Sequence, residues 1–390
     1  MNMIHTLTDD QKVIRESIQK LCARFDKQYW LKADQSGDFP QEFFSAIAQE
    51  GWLGICIPQE YGGSGLGIAE AAVMMRTISE CGGGMSAASG IHINVFGLHP
   101  VVVFGTDEQK RRMLTPIAQG RQKACFGVTE PNTGLNTTQL KTRAVRKDDH
   151  YLVNGQKVWI SNAQVADKIL LLARTTPLEE VKKPTHGLSL FYTDLDRKAV
   201  SVREIDKMGR ACIDSNELFI EDFRIPHEDL IGEEGRGFEY ILHGMNPERV
   251  LIAAEAVGLG MLAIDTAARY AKERNVFNRP IGQNQGIAHP LARHWMELEA
   301  AWLMVMAAAD RYDQGLDCGA AANSAKYLAG EAGQEACRTA VLTHGGFGYA
   351  KEYHVERYLR ESMIPWIAPV SPHMILNYIA ERELGLPRSY

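Results

Sequence analysis

The pattern of hydrophobic residues changes twice along this chain of 390 residues, and the order of the three patterns limits the possible folds. Helical spacing dominates residues 7–122, short strand-like segments follow from about residue 123, and long helical patterns return from about residue 237. A doubly wound nucleotide-binding fold would alternate strands and helices, with GxGxxG between a strand and a helix. The chain has neither feature. We therefore predict an α+β protein with an N-terminal α-helical domain (1–122), a central small β-barrel (123–236) and a C-terminal four-helix bundle (237–390).

Local signals add detail to this outline. Thr8 precedes an amphipathic run with Asp9 in its first turn, which favours a helix start because acidic groups suit the helix dipole. Asn154 and Gly155 lie between two apolar runs, a pattern typical of a two-residue hairpin turn. Pro247 is suited to a first helical turn, so we predict that the first bundle helix begins near it.

Composition narrows the class of protein. The formal net charge of −6 argues against a nucleic-acid-binding surface, and no run approaches 18 apolar residues without charge, so we expect no membrane span. The first residues contain acidic groups and no apolar core, unlike a signal peptide. Seven scattered cysteines without a CxxC pair indicate reduced thiols. We therefore expect a cytoplasmic protein.

Segments spread along almost the whole chain resemble the acyl-CoA dehydrogenase family. Each segment is weak evidence alone, but together they follow the order and spacing of that family. They are PQEYGG (58–63), FGVTEPNTG (126–134), NGQKVWISN (154–162), KMGRACIDSNELFIEDFRIP (207–226), GEEGRGF (232–238), YAKERNVFNRPIGQNQ (270–285) and THGGFGY (343–349). The resemblance implies an enzyme of fatty acid metabolism that uses FAD to form a double bond between the α and β carbons of an acyl-CoA. It also implies electron transfer to an electron-transfer flavoprotein, and a homotetramer built as a dimer of dimers.

The resemblance also implies a set of cofactor-binding residues and no metal ligands. Trp159 matches a residue against the flavin ring and Ser161 one near flavin N5, whereas Arg274 matches a residue that reaches the FAD of a neighbouring subunit. Without the resemblance, a half-buried strand aromatic is the preferred interpretation of Trp159, and the glycines of THGGFGY also fit a helix C-terminus. The full set is Phe126, Val128, Thr129, Gly134, Trp159, Ser161, Arg274, Phe277, Gln285, Gly345, Gly346 and Ser371.

The catalytic base departs from the commonest pattern of the family. Many members carry a glutamate in the loop that matches residues 360–371 here, but Pro369 stands at that position. A second branch, which includes isovaleryl-type and long-chain-type enzymes, carries the base on the first bundle helix, where this chain has Glu248 followed by Arg249. We predict Glu248 as the base, because a solvated first-turn glutamate, its alternative, would leave the reaction without one. Glu255 ranks below it.

Pro369 also removes a backbone N–H that in the family polarises the thioester carbonyl. Ala368 or Val370 could donate instead, another group could replace it, or the chemistry could differ. Leu135 replaces a family serine, and together with Arg249 it is our candidate contact to the substrate. Members with the base on the helix often accept branched acyl groups, so a medium or branched acyl-CoA is favoured. The alternatives are a flavin oxidase or monooxygenase, an enoyl-CoA reductase, and a catalytically silent assembly subunit.

Overall fold

A computed structural model describes residues 5–389, and its first part is helical. At the predicted helix start, Thr8 and Gln11 form a capping box, since each side chain bonds the backbone N–H of the other. The sequence analysis missed the second helix, which Asp26 caps. The helices are α1 (Asp9–Cys22), α2 (Lys27–Ser36), α3 (Gln41–Gln49), α4 (Ile68–Ile78), α5 (Gly84–Phe96), α6 (His99–Phe104) and α7 (Asp107–Ala118).

The middle of the chain forms one eight-stranded sheet. Its strands are β1 (Ala124–Gly127), β2 (Arg143–Arg146), β3 (His150–Ser161), β4 (Lys168–Arg174), β5 (Leu188–Asp194), β6 (Val200–Glu204), β7 (Ser215–Pro226) and β8 (Leu230–Ile231). Their order is β6-β7-β3-β2-β4-β5-β8, with β1 beside β4. The two outer strands, β6 and β8, do not pair with each other within residues 5–389. The predicted barrel is therefore an open sheet, and β8, with two residues, is too short to close it.

The predicted hairpin at Asn154-Gly155 is wrong, because both residues lie within the twelve-residue strand β3. The pairing with β7 shifts its register at this point, which makes the dipeptide a β-bulge. Asn154 exchanges two hydrogen bonds with Asp222 of β7, at 3.1 and 2.9 Å. A side chain at Gly155 would meet Thr142 Oγ1 at 2.5 Å. The glycine thus permits close approach of two backbones and not a turn.

The C-terminal part is a helical bundle whose first helix is longer than predicted. It begins at Gly237, ten residues before Pro247, which lies inside it. Gly237 packs so closely on β5 that an added Cβ would lie 2.5 Å from Leu190 N. The helices are α8 (Gly237–Glu273), α9 (Gln285–Asp313), α10 (Gly319–His344), α11 (Val355–Ile367) and α12 (Pro372–Arg382), with a short strand pair β9 (Asn275–Val276) and β10 (Arg279–Pro280) after α8.

A polar side chain joins two of the helical parts. The carboxylate of Asp313, at the end of α9, accepts hydrogen bonds from the backbone N–H groups of Ile68 and Ala69. It thereby caps the first turn of α4, where these N–H groups have no partner within the helix. Two helical stretches, Ile68–Phe104 and Gly237–Glu273, have the length and apolar composition of a membrane span, but their most apolar windows are 78% and 94% buried within the protein. Core helices of a globular fold give the same result.

Candidate active site

Glu248 lies in the interior of α8, three turns after the helix begins. This position excludes the alternative of a first-turn glutamate held by the helix dipole. The side chain is partly buried, and no residue of 5–389 forms a hydrogen bond or an ion pair with its carboxylate. Burial raises the pKa of Glu248 to about 7, although His92 and Arg249 oppose the shift. A free carboxylate with such a pKa has the properties of a general base near neutral pH.

The loop that contains Pro369 is fixed beside Arg249. Lys326 of α10 is fully buried and donates hydrogen bonds to the carbonyls of Trp366 (2.8 Å) and Val370 (2.7 Å). Burial lowers the pKa of Lys326 to about 8, and the nearby positive charge of Arg249 adds to the effect. Because Glu248 also interacts electrostatically with Arg249, the loop and the predicted base border one region.

The hydrogen bonds of this loop distinguish the two backbone donors considered above. Ala368 N–H donates to the carbonyl of Ile364 at 2.9 Å, because it caps the end of α11. For Val370 N–H, the described part of the chain provides no acceptor. Val370 is therefore the better candidate to donate to a substrate carbonyl.

A buried ion pair supports the strand end that matches the flavin-binding segment. Lys157 donates to the carbonyl of Val128 and to Glu130, both at 3.0 Å, and Val158 N–H donates to the carbonyl of Thr129 at 2.9 Å. Glu130 is 6% exposed and Lys157 is fully buried. Sequence reasoning did not assign this pair a role, although both members lie within the quoted motifs. The pair fixes the segment against β3.

Trp159 and Ser161 follow this pair on β3. Trp159 has a left-handed φ of 62° and is 58% exposed, which is unusual for a large aromatic residue in a strand. Its open indole face fits a planar ring better than the half-buried strand aromatic that was the alternative. Ser161 and Phe126 are partly buried, whereas Gly134 and Leu135 are exposed beside the same segment.

A second group of predicted residues lies where α8 and α10 end. The Arg274 guanidinium lies 5.6 Å from the ring centre of Phe347, and Phe277 is 94% exposed. Side chains added at Gly345 or Gly346 would meet no atom within 4 Å. The accessible backbone at Gly345 and Gly346, close to the guanidinium of Arg274, could therefore bind an anionic group such as a pyrophosphate.

Two further predicted residues lie at helix starts. Gln285 is exposed at the first position of α9. Ser371 caps α12 by accepting a hydrogen bond from Met374 N–H at 3.4 Å.

Glu255, which the sequence analysis ranked below Glu248, is a second carboxylate on the same helix. Glu255 is fully buried, and His92 Nδ1 lies 2.5 Å from its Oε1 atom. Burial disfavours the charged imidazole, but the adjacent Glu255 outweighs this effect and raises the pKa of His92. Glu248 is close enough to interact electrostatically with both residues.

Comparison with known proteins agrees with this architecture. Profiles of the acyl-CoA dehydrogenase N-terminal, middle and C-terminal domains match residues 8–121, 125–223 and 235–383. The acyl-CoA dehydrogenase FadE12 of Mycobacterium tuberculosis is 36% identical over 388 residues, 98% of each chain. CarC, a subunit of the caffeyl-CoA reductase-Etf complex of Acetobacterium woodii, is 35% identical and covers 85% of this chain and 87% of its own. Butyryl-CoA dehydrogenase of Megasphaera elsdenii has a TM-score of 0.92 at 28% identity, covering 98% and 100%.

The order of helices, open sheet and helical bundle, together with these relatives, defines a flavoprotein oxidoreductase of the acyl-CoA dehydrogenase fold. The chain belongs to the acyl-CoA dehydrogenase family.

Proposed function

We propose that this protein catalyses FAD-dependent α,β-dehydrogenation of an acyl-CoA thioester to the trans-2-enoyl-CoA, with Glu248 as the base. The observation that carries the proposal is the state of Glu248, a partly buried carboxylate without a partner in residues 5–389 and with a pKa of about 7. A structural glutamate at such a site would be paired, because an unpaired buried charge is costly.

FAD would be held by the two groups of residues described above. Trp159 and Ser161, with the strand end at Val128 and Thr129, would hold the ring, and Arg274 with Gly345 would bind the pyrophosphate. When bound, FAD supplies the acceptor for the hydride that leaves the β-carbon. The open indole of Trp159 and the open backbone at Gly345 support this assignment.

The chain itself would handle the proton and the thioester. The ionised Glu248 accepts the proton from the α-carbon, and the neighbouring Arg249 binds the CoA moiety or orients the base. Val370 N–H donates to the thioester carbonyl, which stabilises the negative charge that develops on its oxygen. Leu135, exposed beside the flavin-binding segment, contacts the substrate.

We also propose a medium or branched acyl group, electron transfer to an electron-transfer flavoprotein and a homo-oligomer, in fatty acid degradation in the cytoplasm. CarC is named as part of a complex with Etf, which supports that class of partner. Phe277, Leu342 and Tyr349 are 94%, 66% and 89% exposed near the ends of α8 and α10, and these apolar groups support burial against a second subunit.

Enoyl-CoA reduction is the second candidate, because CarC is named a reductase subunit. The two functions are one reaction in opposite directions, and they would use the same residues. The redox potential of the electron partner would decide between them.

An anaerobic titration of the yellow protein with straight and branched acyl-CoAs tests the proposal. We expect loss of the oxidised-flavin absorbance with one class of acyl group, together with formation of the matching enoyl-CoA. A bound flavin that no thioester bleaches, but that air or an enoyl-CoA reoxidises after chemical reduction, would contradict it and favour an oxidase or a reductase.

A further inference from the structure

Three polar residues form a buried cluster beside the proposed base. Glu255 lies seven residues after Glu248 on α8, hence on the same face and about 10 Å further along the axis. His92 approaches Glu255 from α5, and Arg210 approaches from the connection between β6 and β7. Glu255, His92 and Arg210 are 0%, 8% and 8% exposed. We call Glu255, His92 and Arg210 the distal cluster.

The hydrogen bonds of the distal cluster are incomplete. His92 bonds Glu255 Oε1, but Glu255 Oε2 is buried and has no donor among residues 5–389. Arg210 Nη1 donates to Ser89 Oγ at 3.0 Å, whereas Arg210 Nε is buried and finds no acceptor in the same described residues. A buried charged group with an unmet hydrogen bond destabilises a protein, so a bound molecule that meets the bond would bind favourably.

The cluster follows the proposed base along α8. Glu248, the proposed base, interacts electrostatically with His92 and Glu255, so the cluster and the base border one region. The α-carbon must lie near the base, and the cluster is further along α8. A group bonded by the cluster would therefore belong to the distal carbons of the acyl chain.

We infer that the acyl group of the substrate carries a hydroxyl on its distal carbons, bound by Glu255 and Arg210. This inference rests on the proposed function, and it adds the chemical class of the acyl group. A hydroxyl can donate to Glu255 Oε2 and accept from Arg210 Nε, whereas a methyl group meets neither need. A carboxylate on the acyl chain would be repelled by the negative charge of Glu255, and an ammonium group by the positive charge of Arg210. An uncharged group that both donates and accepts a hydrogen bond suits both residues.

Calorimetric binding to the FAD-loaded Glu248→Gln enzyme tests the inference without turnover. The probes are ω-hydroxyacyl-CoAs and the alkyl acyl-CoAs of equal length, for example ω-hydroxyvaleryl-CoA with hexanoyl-CoA, at three successive lengths. At one length we expect the hydroxyl compound to bind at least about tenfold more tightly, as for a hydrogen bond to a charged group. Adding both Glu255→Leu and His92→Leu removes the proposed acceptor together with its histidine partner, and it should lower this preference, because only Arg210 is left to bond the hydroxyl.

Equal or tighter binding of the alkyl compound at all three lengths would overturn the inference. This comparison uses the distal cluster without substitutions. Tighter binding of adipyl-CoA than of the hydroxyl compounds would also overturn it, because the cluster would then be an anion site centred on Arg210. The proposed function fails separately, when no thioester bleaches the flavin of the unmodified enzyme.

Discussion

Glu248 and Glu255 lie on one face of α8 but have different surroundings. Glu255 is fully buried against His92, whereas Glu248 is partly buried and has no partner in the described chain. Two carboxylates that lie in such different environments usually have different roles. The paired Glu255 suits binding, and the free Glu248 suits proton transfer.

At Val370, we predict that substitution to proline lowers kcat by about two to three orders of magnitude, because the proposed oxyanion donor is lost. Val370→Ala retains the N–H and should keep most of the activity. Steady-state rates, with flavin content and thermal unfolding as checks on folding, measure the effect. Similar rates in the two variants would exclude Val370 from the mechanism.

Sequence patterns make Glu248 a candidate base, but they do not reveal the partner of Glu255. The motif around Glu248 is local, so neighbouring residues are enough to identify it. The partner of Glu255 is His92, which lies 163 residues away in the chain, and no local pattern links the two. The choice between Ala368 and Val370 likewise needed the hydrogen bond that ends α11.

At the scale of elements, α11 determines how α5 begins. Glu361 of α11 accepts hydrogen bonds from Met85 N–H (2.8 Å), Ser86 Oγ (2.6 Å) and Arg357 Nη1 (2.9 Å). Arg357 also donates to the carbonyls of Gly82 and Gly83, where the helical path changes direction. This buried pair thus positions the helix that carries His92.

We predict that Glu361→Gln lowers the free energy of unfolding by about 3–5 kcal/mol, because Arg357 would remain buried without its counter-charge. Denaturant unfolding measures the change, with the exposed Glu383→Gln as the control. A loss below about 1 kcal/mol would show that Arg357 needs no carboxylate.

Sequence patterns located most elements, and they failed where a contact distant in sequence overrides a local preference. The dipeptide Asn154-Gly155 strongly favours a hairpin turn, but hydrogen bonds to Asp222 keep it within a strand. Proline is favoured in the first turn of a helix, but α8 begins ten residues before Pro247, at Gly237, which packs on β5. The first error placed a turn inside a strand, and the second misplaced the start of a helix.

For the whole molecule, the order of the three hydrophobic patterns, helical, then strand-like, then helical, was enough to predict the fold class. The closure of the sheet was not predictable, because it depends on the pairing of β6 with β8, which are distant in the chain. Exposed apolar residues near the end of α8, Phe277 above all, also become evident only in the folded molecule.

We predict that Phe277→Glu reduces the size of the assembly and weakens FAD retention, because a charge would enter the proposed apolar contact between subunits. Sedimentation velocity and the ratio of flavin to protein absorbance measure both effects. Val13→Glu places the same charge on α1, at a residue that is 60% exposed, and should change neither. An unchanged assembly in the Phe277 variant would contradict the shared cofactor site.

The central claim is that Glu248 takes the proton, and the pH dependence of flavin reduction under anaerobic, single-turnover conditions tests it most directly. Because a base acts in its ionised form, and burial raises the pKa of Glu248 to about 7, the rate should rise with pH and level off above about 7. Glu248→Gln should keep its FAD, lose about two to four orders of magnitude in rate and lose this pH dependence, whereas Glu273→Gln at the exposed end of α8 should match the unmodified enzyme. A Glu248→Gln enzyme that reduces its flavin at a normal rate, with the same pH profile, would contradict the account.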